Sequence, residues 1–91
     1  MIRRTATDTH IKVTFALPLA QVTGKCSVVG DFNGWVPGQH EMRRRGNGTR
    51  SASVSLQPGT RIRFRYLAED GHWFNDPETA ELDGADTVLV V

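Results

Sequence analysis

Alternation of apolar and polar residues recurs along most of this chain and confines it to sheet structure. Ile11, Val13, Phe15 and Leu17 fall on one parity, with His10, Lys12 and Thr14 on the other. That period of two marks a strand with one buried face. Cys26, Val28, Gly30 and Phe32 share parity in a second strand. Residues 41–45 and 50–56 read as two arms of a hairpin, and Gly46-Asn47-Gly48 between them accepts the positive φ its turn needs. Ala52, Val54 and Leu56 alternate there with Ser51, Ser53 and Ser55. After a Pro58-Gly59 turn, Ile62, Phe64, Tyr66 and Ala68 are expected inside and Arg61, Arg63, Arg65 and Leu67 outside. Glu69-Asp70-Gly71 reverses the chain into His72-Trp73-Phe74, Asp76-Pro77 ends that segment, and Val88 to Val91 form a last strand. No amphipathic helical period occurs. Regularly spaced turn signals between about seven short strands predict an all-β, immunoglobulin-like antiparallel sandwich.

Ninety-one residues make one domain. The patterning places it at 10–91 and leaves 1–9 as a flexible N-terminal segment. A chain of this length buries roughly 60–65% of its unfolded surface, enough for one modest core but not for a deep cleft between lobes. With 38% hydrophobic and 23% charged residues, neither a disordered nor a membrane-spanning chain is expected. Met1-Ile2-Arg3-Arg4-Thr5 is followed by no apolar signal segment, so the expected location is cytoplasmic. The sequon Asn47-Gly48-Thr49 then reads as a tight turn. The lone Cys26 excludes an internal disulfide and reads as a buried, inert thiol.

Catalytic chemistry finds little footing. A glycosidase needs two carboxyl groups flanking a cleft, whereas Asp31, Asp70 and Asp76 sit in turns that favour Asp for local hydrogen bonding. The serines of 51–55 alternate along a strand with no nucleophile elbow nearby. His10, His40 and His72 lie singly, without metal-ligand spacing. Gly30 to Gly34 lacks the spacing and the following helix of a phosphate loop. No catalytic residue, metal or cofactor is expected. The Arg61, Arg63, Arg65 stripe and the Arg43, Arg44, Arg45 run raise a nucleic-acid surface, but a net charge of +1 and the lack of an RNA-binding signature argue for solvated faces.

Two segments are more specific than a generic sandwich requires. Val28-Val29-Gly30-Asp31-Phe32-Asn33-Gly34-Trp35 resembles the strand end of family-48 carbohydrate-binding modules. These early-set domains precede the catalytic barrel of glycogen branching and debranching enzymes. Phe64-Arg65-Tyr66-Leu67-Ala68-Glu69-Asp70-Gly71-His72-Trp73-Phe74-Asn75-Asp76-Pro77 is similar to the hairpin of the same family. The resemblance covers roughly 10–91. It implies a non-catalytic module that binds α-1,4-glucan (glycogen, starch or maltooligosaccharide). Trp35 and Trp73 match the family's sugar-stacking tryptophans, and Arg65 matches its basic sugar-contacting residue. Asp86 stands where the family carries an Asn, and Leu82 is the candidate in a loop shortened at 78–85.

A sugar ring has an apolar C–H face, and an indole offers it a flat, rigid, amphipathic surface. The partner the resemblance implies is an α-glucan, with a glycogen-metabolising enzyme as a second. The alternative is an early-set interaction or scaffold module without sugar binding. Exposure separates the two, since open indoles favour sugar and a buried one favours the scaffold. Parity requires one of Trp73 and Phe74 to face the core, and the motif makes Trp73 the outer one.

Overall fold

A computed structural model describes residues 2–21, 24–69, 71–76, 82–83 and 86–91. Among them, nine strands form two antiparallel sheets, and the chain is the all-β sandwich its alternation predicts. The first sheet contains β1 (Ile2–Ala6), β2 (Ile11–Pro18), β4 (Arg43–Arg44) and β5 (Thr49–Leu56), in the order β1-β2-β5-β4. The second contains β3 (Cys26–Gly30), β6 (Arg61–Ala68), β7 (Trp73–Phe74), β8 (Leu82–Asp83) and β9 (Asp86–Val90). Its order is β3-β6-β9-β8, with β7 also paired to β6. None of the described helices is long and apolar enough to cross a membrane.

The core lies where the two inner faces meet. Val13, Phe15 and Leu17 of β2 are buried against Cys26 and Val28 of β3 and Ile62, Phe64 and Tyr66 of β6. Phe64 meets Phe15 edge-on at 4.8 Å between ring centres and Tyr66 at 5.7 Å. Edge-to-face pairs of this kind add about 0.5–1.5 kcal/mol to the burial itself.

Three departures from the expected pattern have physical causes. The segment set apart as flexible contains β1, which pairs with β2 from Ile2 opposite Phe15 to Ala6 opposite Ile11. Four of its five residues are exposed, so main-chain pairing rather than an apolar face defines it. Ser51 is buried rather than solvated, because Arg45 lies against it and donates from Nε to Ser51 Oγ at 2.7 Å. The second strand stops at Gly30 instead of reaching Phe32. Asp31–Asn33 coils into a 3-10 turn, from which Phe32 still packs on the core, stacked on Phe15 at 6.0 Å.

Candidate functional site

Gly30 is where the backbone commits to the turn that carries Trp35. A Cβ there would lie 2.5 Å from the Arg63 carbonyl oxygen and 2.7 Å from the Phe32 ring, so only glycine lets β3 approach β6 this closely. The buried Asn33 side chain then locks the turn. Its Oδ1 accepts from the Gly30 N–H at 3.0 Å, and its Nδ2 donates to the Val28 carbonyl and to His40 Nδ1, each at 3.0 Å. The Trp35 N–H donates back to the Gly30 carbonyl at 2.9 Å. Gly34 and Trp35 both adopt the left-handed region, with φ of 66° and 61°. For a bulky residue this conformation costs about 1–2 kcal/mol, and it persists only where its surroundings enforce it. Trp35 ends half-buried.

The second tryptophan is held from the opposite edge of β6. Leu67 pairs with Trp73 and Tyr66 with Phe74, so alternation sends Trp73 outward and Phe74 inward. Trp73 is 37% exposed, and Phe74 packs on the core beside Tyr66 at 5.3 Å. Polar bonds beneath it pin the chain that leaves β7. The Tyr66 phenol donates to the buried Asp76 carboxyl at 2.6 Å, and Thr87 Oγ1 donates to Asn75 Oδ1 at 2.8 Å. Asp76, read from the sequence as a turn residue, is thus a buried anchor.

Arg65 lies on β6 between these two elements. Its guanidinium carbon is 5.6 Å from the centre of the Trp73 ring, within cation–π range. The side chain is half-buried, and Nε is buried without a hydrogen-bond partner among the described residues. Directly opposite it, Val29 is fully buried although its register turns it to the outer face. Val88, opposite Arg63, is likewise buried. Arg63 and Arg65 are themselves half-buried, so the stripe expected to be solvated is in part covered.

Asp86 opens β9, half-buried, on the same outward parity as Val88. Leu82 lies in β8 opposite Thr87, and its side chain falls outside the described residues. The sheet thus brings Arg65 and Trp73 into contact, sets Asp86 on their face, and sets Trp35 beyond β3. From Gly30 to Trp73 is two strand spacings and three residues of rise, roughly 14 Å along the sheet. Sequence reasoning missed Asn33 and His40, which hold the Trp35 turn. The signal available was an Asn directly before a Gly in a turn, and nothing pointed to the His across it.

The class these features define is a small antiparallel β-sandwich carrying an aromatic–cation platform on one open sheet face. No family model matches the chain. Over 54 residues it is 39% identical to the 1,4-alpha-glucan branching enzyme GlgB of Thermosynechococcus vestitus, a match covering 56% of this chain and 7% of that enzyme. It is 38% identical over 48 residues to the 1,4-alpha-glucan branching enzyme GlgB 2 of Xanthomonas campestris pv. campestris, covering 52% of this chain and again 7% of the relative. The matched stretch is thus a small part of each of these enzymes.

Proposed function

We propose that this domain binds α-1,4-glucan, without catalysis, on the outer face of the β3-β6-β9 sheet. Trp73 supplies the stacking surface, Arg65 steadies the ring and donates to sugar hydroxyls, and Trp35 provides a second platform beyond β3. Asp86 accepts from a hydroxyl at the β9 side, and Leu82 adds an apolar contact. The observation that carries the reading is the exposed Trp73 indole with the Arg65 guanidinium against it. An exposed indole on a two-residue strand adds little to the fold, so its placement makes sense as a ligand surface. The left-handed Trp35 supports the same reading, because strain of this kind clusters at functional sites. The relatives are named for 1,4-alpha-glucan branching, which supports glucan as the ligand class. A catalytic role draws no support from an open sheet face.

Titration with maltoheptaose, read by tryptophan fluorescence, tests the proposal. A shallow two-ring site that must order a flexible ligand should give a Kd of about 10 μM to 1 mM. Cellooligosaccharides, which are straighter, should bind more weakly. An equal response to both sugars, or none to either, would remove the glucan reading. Incubation with glycogen should leave its chain-length profile unchanged.

A further inference from the structure

β3 is an edge strand, and its outer N–H and C=O groups are taken up by the chain that follows it. The Cys26 carbonyl accepts from the Met42 N–H at 2.8 Å, and the Val28 N–H donates to the His40 carbonyl at 2.9 Å. Asn33 continues this edge with its side chain. Its Oδ1 accepts from the Gly30 N–H and its Nδ2 donates to the Val28 carbonyl. Those two backbone groups fix the amide's orientation, because an N–H cannot accept and a carbonyl cannot donate. Nδ2 therefore also donates to His40 Nδ1, 3.0 Å away, and that nitrogen is the acceptor. An imidazole that accepts at Nδ1 is neutral and carries its proton on Nε2. The Trp35 turn is thus closed by His40 in one protonation state only.

We infer that His40 makes this turn a pH-sensitive switch that releases Trp35 on acidification. A protonated imidazole has N–H on both nitrogens, so Nδ1–H would face Asn33 Nδ2–H, donor against donor. Rotating the amide to meet it would oppose the Gly30 N–H and the Val28 carbonyl with like groups, and both of those bonds are buried. The ring swings out instead, and its half-buried position gives it access to water. With it goes its edge-on contact with Phe32 at 5.3 Å. Trp35 holds a φ of 61°, a conformation that persists only where its surroundings enforce it, so the loosened turn lets it relax. Charged groups also face the ring. Glu41, Arg43, Arg45 and Lys12 line one hollow with it, and on the turn Asp31 Oδ1 accepts from the Arg63 N–H at 3.3 Å. Arginine and lysine keep their charge across the imidazole range and ordinary carboxylates lose theirs below it, so the first proton taken up goes to the ring. The bond belongs to the neutral ring, and it is present above that range and lost as pH falls through it. What the released Trp35 does to sugar binding rests on the glucan reading, whereas the opening of the turn does not.

Two-dimensional NMR of the full chain, titrated from about pH 8 to about pH 5, tests it. At the upper end the ring nitrogens of His40 should show a bare Nδ1 and a protonated Nε2. On acidification the Gly30, Asn33 and Trp35 signals should move together with the His40 ring. The exchange protection of the Trp35 amide should fall roughly 2- to 10-fold, as for loss of one hydrogen bond. His40→Asn, whose Oδ1 can accept from Asn33 at any pH, should abolish the transition, and the same spectra report whether it is folded. Glu41→Gln and His72→Asn should keep it. Maltoheptaose should bind the wild type more weakly at the acid end, and His40→Asn equally at both ends. A proton on Nδ1 at about pH 8, a Trp35 turn unmoved while the ring titrates, or a transition that survives His40→Asn would overturn the inference. An intact transition without sugar binding at either end would support the switch and remove the glucan reading alone.

Discussion

Truncating the neighbours Trp73 and Phe74 in turn should split binding from stability. Trp73 is an exposed residue whose main contact of note is with Arg65. Trp73→Ala therefore forfeits an exposed cation–π contact of about 0.5–1 kcal/mol and should lower stability by no more than about 1 kcal/mol. A stacked ring is worth about 1–3 kcal/mol, by analogy with base stacking, so maltoheptaose affinity should fall roughly 5- to 150-fold. Phe74 packs on the core against Tyr66 and is partly buried. Full burial would make Phe74→Ala cost about 3–5 kcal/mol. Partial burial brings the expectation to about 3 kcal/mol, a fall in Tm of about 12–24 °C for a domain this small. Arg65→Ala should reduce affinity by about 1 kcal/mol, the worth of one hydrogen-bond donor. Thermal melts and sugar titrations on the same three variants provide the assay. If Trp73→Ala unfolds the domain while Phe74→Ala leaves it intact, or if Trp73→Ala binds as wild type does, the assignment of this face is wrong.

Three further outcomes follow from the interior. Tyr66→Phe removes the phenol that donates to buried Asp76 and should cost about 1–3 kcal/mol, and a urea midpoint unchanged from wild type would contradict the anchoring role. Gly30→Ala drives a methyl to 2.5 Å from the Arg63 carbonyl. It should cost about 1–3 kcal/mol and loosen the Trp35 turn, seen as a lower melt together with a changed tryptophan emission. Burial pushes the Cys26 thiol up to about 11 from 9.0, against the opposing pull of the Arg50 charge. The unfolded thiol thus loses its proton first as pH rises, so this group's contribution is intact below pH 9 and is lost between pH 9 and 11. At 1.36 kcal/mol per unit that is about 2–3 kcal/mol. Wild type should lose that much more than Cys26→Ala across the window, and parallel urea-stability profiles would refute it.

The sandwich was legible in the sequence because a strand declares itself through its own side chains. Val13, Phe15 and Leu17, and again Ile62, Phe64 and Tyr66, alternate locally and are buried as their parity requires. Parity required one of the adjacent Trp73 and Phe74 to face the core, the motif made Trp73 the outer one, and Trp73 is indeed the more exposed of the two. What no local pattern encodes is pairing without an apolar face. β1 is held by its ladder to β2 and was invisible to hydrophobic periodicity. Nor does alternation reveal which outward residues become covered. Val29 and Val88 are buried although they stand on the outward parity, opposite Arg65 and Arg63, and Ser51 is buried with Arg45 bonded to it. The Trp35 turn depends on His40 meeting Asn33 and on Gly30 meeting Arg63, contacts between residues 7 and 33 positions apart in the chain. Those partners exist only after the sheets have assembled. The sequence alone thus determined the class of fold, because alternation is local, and the motif resemblance chose the outer member of the Trp73 and Phe74 pair. Only the tertiary structure decided that Arg65 lies against that indole, because the contact crosses from β6 to β7.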